Sequence, residues 1–227
     1  MVPTLLFDMD GTLVHTDHLH FAAFQTILGP HGIDLDWATY REFLMGKSNE
    51  SVAAKLFAHL PHERHSALMD DKEAEYRSLA QNLVPAAGLM DLLDWAESAG
   101  IGLAVVTSAP RDSAEHVLGA LGIAQRFKVV ITRNDVADPK PHPLPYLTAL
   151  EAIGGDPSRS VAFEDSSAGV TSAAAAGLPV VGLTAPLDEN DLHRHGAALL
   201  IEDYRDPMLT GFLRRHLRLD EPVDPPP

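Results

Sequence analysis

Two carboxylates one residue apart, Asp8 and Asp10, end an apolar run that begins at Leu5, and Gly11 and Thr12 follow them directly. Side chains alternate along an extended backbone, so near the end of a strand Asp8 and Asp10 can face one cleft while Met9 points back into protein. Carboxylates that close repel, and either one keeps its proton or a cation sits with them. Farther along, Thr107-Ser108, Lys140 and Glu164-Asp165 each come after an apolar segment, Lys140 by way of a loop. Taken singly, Thr107 reads as a helix cap, Lys140 as a solvated loop lysine and Glu164-Asp165 as acids opening a helix. Their shared placement at segment ends points instead to one cleft supplied with acids, a hydroxyl and a lysine.

Such a cleft needs strands that end together. From residue 85 the hydrophobic pattern alternates helix and strand: helices over 88–99, 111–121 and 143–153, an Ala-rich helix capped by Ser167 and closed at Gly177, and strands over 101–106, 127–131, 160–163 and 179–183. Short links between alternating elements predict a parallel, doubly wound α/β sheet, whose ligand cleft lies at the carboxyl ends of the strands. No second strand follows the first for about seventy residues. Residues 17–83 read as helical instead. A short helix over 36–44 turns Trp37, Tyr40 and Phe43 or Leu44 inward. Ser48 caps another with Val52, Leu56 and Leu60 on one face, and Pro61 opens a third with the stripe Leu68, Tyr76, Leu79 and Leu83. The expected division is an α/β core over 1–16 and 84–215, an inserted helical lobe over 17–83, and a tail over 216–227 whose ending from Glu221 is too proline-rich to pack.

The composition narrows the function. The 227 residues are 45% hydrophobic, enough for one large core with a smaller insertion, and the net charge is −15. That charge argues against nucleic acid and anionic membranes as partners, and any phosphate site must rely on local cations. No apolar run reaches the length of a membrane helix and no basic-then-apolar leader opens the chain, so a cytoplasmic location is expected. With no cysteine, thiolate catalysis and cysteine metal sites are excluded. Among the twelve histidines, His18, His20, His59, His62, His65, His193 and His195 make no zinc pattern with suitable partners and read as helix-surface residues. No apolar stripe is left over, so a monomer is expected.

The run Asp8-Met-Asp-Gly-Thr12 after a buried strand resembles the first motif of the haloacid dehalogenase superfamily. Thr107 is similar to its second motif, Lys140 within Asp-Pro-Lys-Pro-His-Pro to its third, and Glu164-Asp165-Ser-Ser-Ala-Gly to its fourth. Gly177-Leu-Pro-Val-Val-Gly182 looks like the strand after that motif in sugar-phosphate-type members. The resemblance implies a Rossmann-like core with a helical cap, and hydrolysis of a small phosphomonoester. Asp8 would be the nucleophile, Asp10 the general acid and base, and Lys140 and Thr107 would hold the phosphoryl oxygens. Mg²⁺ would sit on Asp8, the Asp10 carbonyl, Asp165 and Glu164. Asp10 sets the chain apart from the dehalogenases themselves, which lack a carboxylate there because a halide leaves without a proton.

The helical insertion resembles the caps of phosphoglycolate phosphatases, sugar-phosphate phosphatases and β-phosphoglucomutase, and implies a lid that excludes water. By that likeness Thr16, His20, Gly46, Lys47, Asn49 and Lys72 would bind substrate, with Ser108, Ala109 and Arg111 from the core. Three positions depart from the mutase pattern: Asn49 replaces an arginine that grips a second phosphate, Ala109 a serine and Arg111 an asparagine. Those departures favour a phosphatase acting on sugar phosphates or phosphoglycolate-like metabolites. A β-phosphoglucomutase-like mutase is the alternative, and a non-catalytic phosphometabolite-binding protein the remote one. His15 stands where the class usually has aspartate.

Overall fold

The computed structural model describes residues 1–47, 49–58, 60–184 and 189–219. The chain divides into two compact units, Met1–His15 with Val84–Pro227, and Thr16–Leu83.

The first unit is built on six strands, β1 (Val2–Phe7), β2 (Gly102–Val106), β3 (Val129–Ile131), β4 (Gly155–Glu164), β5 (Val180–Leu183) and β6 (Ala197–Ile201). All pair in parallel in the order β3-β2-β1-β4-β5-β6, so the sheet is doubly wound, with β1 at its centre. Central parallel strands are covered on both faces, which is why β2 and the Leu5–Phe7 half of β1 are continuous buried apolar runs. Leu6 pairs with Ala104 and Ala162, and Ala162 with Val180. These residues share one face, against Tyr146, Ala149, Val170, Ala173 and Leu192. The alternate residues turn the other way. Phe7 and Phe163, partners in register, stack at 4.7 Å, and Tyr204 lies 5.4 Å from the Phe163 ring. Each such ring fully withdrawn from water contributes about 1.5–3 kcal/mol.

The helices of this unit are numbered after the four of the insertion: α5 (Leu89–Ser98), α6 (Arg111–Ala120), α7 (Leu144–Ile153), α8 (Ser167–Ala175), α9 (Glu189–His195) and α10 (Pro207–Leu217). Three details differ from expectation. The cap of α8 is Ser166, whose Oγ accepts from Gly169 N at 3.0 Å, rather than Ser167. β4 starts at Gly155, because Val2 pairs there before the register shifts ahead of Thr4. The chain also adds β6 and α9 and carries α10 through Leu217, into the expected tail, with Leu209, Leu213 and Leu217 buried. β6 is a short edge strand whose middle is not buried, so its period-2 signal is faint.

The second unit holds α1 (Asp17–Leu28), α2 (Trp37–Phe43), α3 (Asn49–Leu56) and α4 (His62–Leu79) around Phe24, Leu28, Tyr40, Val52, Phe57 and Leu68. Asp36 caps α2 by accepting from Thr39 N at 2.7 Å. That helix buries Tyr40, and Leu44 just past its end is buried too, but Trp37 is 41% and Phe43 40% exposed. Each keeps a partner, since Trp37 meets Phe21 edge-on at 5.1 Å and the Lys55 ammonium covers Phe43 at 3.8 Å. Along α4, Leu68, Met69 and Tyr76 are buried, whereas Leu79 is exposed and Leu83 lies beyond the helix. The expected cap Ser48, His59 and the end of the tail from residue 220 lie outside the described residues. No helix among the described residues is long and apolar enough to cross a membrane.

Candidate active site

β1 delivers Asp8 to the carboxyl edge of the sheet, where its backbone N–H still bonds the Phe163 carbonyl at 2.9 Å. The chain then turns. Leu13 N bonds Met9 O at 2.8 Å and Gly11 N bonds Val14 O at 2.8 Å, with Met9 fully buried and Asp10 half-buried. Gly11 adopts φ 79°, and any Cβ there would collide with the Asp165 carboxylate. Glycine is required twice over, for the left-handed turn and for the close approach of the acid that follows β4.

Lys140 joins three strand ends. Its Nζ donates to Asp8 Oδ1 at 2.5 Å, Glu164 Oε1 at 2.6 Å and the Val106 carbonyl at 2.7 Å, which uses all three ammonium protons. Glu164 is fully buried. Besides Lys140 it accepts the Tyr146 hydroxyl on Oε1 at 2.6 Å and Ser166 Oγ on Oε2 at 3.2 Å. The Gly169 backbone backs onto it so closely that a Cβ would strike both carboxylate oxygens. Oxygens of Asp8, Glu164 and Asp165 lie within 4.8 Å of one another, an arrangement able to hold a metal ion.

The electrostatics follow from burial. Loss of water pushes the Asp8 carboxyl up to about 7, and neighbouring Glu164 and Asp10 push the same way against the Lys140 ammonium. Burial alone would lower Lys140, but Asp8 and Glu164 outweigh it and hold the ammonium well above its ordinary value. The Tyr146 hydroxyl is raised by burial and by Glu164 and Asp8, so it stays a proton donor.

The other core residues singled out in the sequence divide. Thr107, next to Val106, is buried, and its Oγ1 accepts from Ala109 N at 3.0 Å, a turn that shapes the end of β2. Ser108 is exposed and Ala109 half-buried. Arg111 is engaged by acids, its guanidinium pairing with Asp135 at 2.5 Å and with Glu115 at 3.7 Å.

In the helical unit three of the singled-out residues share a second polar cluster. Lys72 Nζ lies 2.9 Å from His20 Nδ1 and 2.8 Å from Glu73 Oε1, and Asn49 Nδ2 donates to the same Glu73 oxygen at 3.0 Å. His20 stacks on Tyr76 at 3.9 Å. Lys72 and Glu73 are both buried, so the lysine head does not snorkel to water. Thr16 is buried at the start of α1, while Gly46 and Lys47 form an exposed turn.

Sequence reasoning missed Glu73 and Tyr146, and it read Ser166 only as part of a motif. It also missed Tyr204, whose hydroxyl reaches back from beyond β6 to the Thr12 carbonyl at 3.1 Å. Tyr146 stands six residues after Lys140 in a helix that reads as plain core, and Glu73 sits in a charged run, so neither carries a distinctive pattern.

The haloacid dehalogenase-like hydrolase family model matches residues 5–183. Validoxylamine A 7′-phosphate phosphatase of Streptomyces hygroscopicus subsp. limoneus is 35% identical over 207 residues, covering 89% of this chain and 94% of that protein. Phosphoglycolate phosphatase of Xanthomonas campestris pv. campestris is 32% identical over 181 residues, covering 78% and 80%. The crystal structure of CbbY from Rhodobacter sphaeroides in complex with phosphate shares 29% identity at a TM-score of 0.79, covering 91% of this chain and 96% of that one. With the motif residues gathered at one sheet edge and these matches along most of its length, the chain belongs to the haloacid dehalogenase-like hydrolase family and is an enzyme related to phosphatases.

Proposed function

We propose that this enzyme hydrolyses small phosphomonoesters, of the sugar-phosphate or phosphoglycolate kind, through an aspartyl-phosphate on Asp8. The observation that carries this reading is Asp8 at the end of β1, tied at 2.5 Å to a buried lysine and ringed by Glu164 and Asp165. In the first step an Asp8 carboxylate oxygen bonds phosphorus, the ester P–O bond breaks, and the leaving alkoxide takes the proton of Asp10. In the second, Asp10 takes a proton from water, whose oxygen attacks phosphorus and releases Asp8. Lys140, exchanging one of its three protein acceptors for substrate, and the Thr107 hydroxyl hold the equatorial oxygens, where negative charge grows. Asp8, Glu164 and Asp165 offer hard oxygen atoms within 4.8 Å of one another and fit Mg²⁺, with the Asp10 carbonyl as the further ligand of the proposed set. That ion, when bound, neutralises charge on the phosphoryl group and on the carboxylates.

Substrate choice falls to Thr16, His20, Gly46, Lys47, Asn49 and Lys72 of the helical unit, with Ser108 and Ala109. Asn49 is neutral and engaged with Glu73, which supports hydrolysis over a mutase that must grip a second phosphate. The names of the relatives, a phosphorylated validoxylamine and phosphoglycolate, support a small phosphorylated metabolite as the partner. The net charge of −15 supports a small molecule rather than nucleic acid or an anionic membrane as partner.

The test is phosphate release with and without Mg²⁺ across phosphoglycolate, polyol and sugar phosphates, and β-glucose 1-phosphate with a bisphosphate primer. Mg²⁺-dependent release from a few of them, abolished in a folded Asp8→Asn variant, is expected. Conversion of β-glucose 1-phosphate to glucose 6-phosphate with little free phosphate would replace hydrolysis by the mutase reaction. Turnover retained in Asp8→Asn would remove Asp8 as the nucleophile.

A further inference from the structure

We propose that Tyr146 is a positioning residue for the phosphoryl-transfer step, acting through Glu164 on Lys140. The inference rests on the reading of Lys140 as the group that holds the phosphoryl oxygens. Tyr146 is completely buried among Leu6, Ala104, Ala149 and Ala162, surroundings in which a phenylalanine would serve as well for packing. Its hydroxyl has gone to Glu164 Oε1 at 2.6 Å, the same oxygen that receives Lys140 Nζ at 2.6 Å. The ammonium also lies 5.3 Å from the centroid of the Tyr146 ring, so one side chain touches both members of the pair.

The division of Lys140 between two carboxylates is what the hydroxyl governs. Nζ sits between Asp8 at 2.5 Å and Glu164 at 2.6 Å, and whichever carboxylate is the better acceptor draws it over. A hydrogen bond from Tyr146 consumes a lone pair of Glu164 and delocalises its charge, which weakens its hold on Lys140 and leaves the ammonium toward Asp8. The same bond fixes the carboxylate from one side while Ser166 Oγ at 3.2 Å and the Gly169 backbone hold the other. Glu164 therefore cannot swing to follow Lys140, and the ammonium is aimed before substrate arrives. Tyr146 itself does not reach the reacting atoms.

Tyr146→Phe tests this, because it deletes one oxygen and keeps the ring in the core. With the wild-type enzyme turning over a phosphomonoester, the variant should lose about tenfold in kcat, the scale of one hydrogen bond to a charged group, with KM within about twofold. The thermal midpoint should fall by no more than a few degrees. In a Glu164→Gln background the same substitution should cost little further in kcat. Wild-type kcat in Tyr146→Phe, or a loss confined to stability, would overturn the proposal, as would an equal kcat loss in both backgrounds. Absence of phosphate release by the wild type would instead remove the hydrolase reading itself.

Discussion

Lys140→Met removes the ammonium and keeps most of the apolar stem, so what it measures is the charge. In the wild type Nζ has acceptors at 2.5, 2.6 and 2.7 Å and is buried with them. Its loss leaves the Asp8 and Glu164 carboxylates uncompensated out of water, and removing one partner of a buried ion pair costs about 3–5 kcal/mol. For a chain of this length each kcal/mol moves the thermal midpoint by about 2–4 °C, so a fall of roughly 6–20 °C is expected at pH 7.5. The pH dependence has a definite sign. Below the ordinary carboxyl value of 3.8, Asp8 is protonated in folded and unfolded chain alike. Between there and about 7 the unfolded chain has released that proton and the folded one keeps it. The Asp8 contribution to stability is thus full at low pH and declines as pH rises toward 7. Without the ammonium, which holds the Asp8 value down, Asp8 keeps its proton more tightly still, so the deficit of the variant should shrink on going from pH 7.5 to 5.5. Urea unfolding followed by circular dichroism, in chelator at both pH values, reads this directly. A deficit under about 1 kcal/mol at pH 7.5, or one equal at the two pH values, would refute the buried charge balance drawn for this site.

Two further substitutions probe the neighbouring geometry. Gly169→Ala places a methyl into the Glu164 carboxylate and should cost about 1–3 kcal/mol in urea, with a parallel fall in kcat; wild-type stability would mean that the start of α8 does not press on Glu164. Asn49→Arg restores a second-phosphate grip and should tighten binding of a sugar bisphosphate about tenfold by calorimetry, whereas unchanged affinity would remove Asn49 from the substrate-facing set.

Much of the site was legible because its residues are tied to local signals. An apolar run ending in Asp8-Met-Asp-Gly predicts a strand and a sharp turn from residues that are neighbours in the chain. The same holds for Lys140 and Glu164-Asp165, each read against its own segment. The parallel sheet followed from strand and helix alternating at short intervals, and the edge strand β6 escaped because its half-exposed residues do not alternate cleanly. On α2 and α4 the spacing marked an apolar face, but it could not say which of Trp37, Tyr40, Phe43 and Leu79 the core would take, since that depends on the neighbouring helices.

The sequence by itself determined the fold class, the family and the residues that bear charge at the strand ends. Only the tertiary structure decided how those charges are shared. Lys140 lies 132 residues from Asp8 and 24 from Glu164, and no periodicity relates such positions. Tyr146 and Tyr204 acquire their partners from close approach between elements, through hydrogen bonds whose strength depends on angstroms and on the exclusion of water. Local pattern fixes the direction of a side chain relative to its own backbone. Which carboxylate it meets, and at what distance, is settled by the packing of distant segments across the sheet.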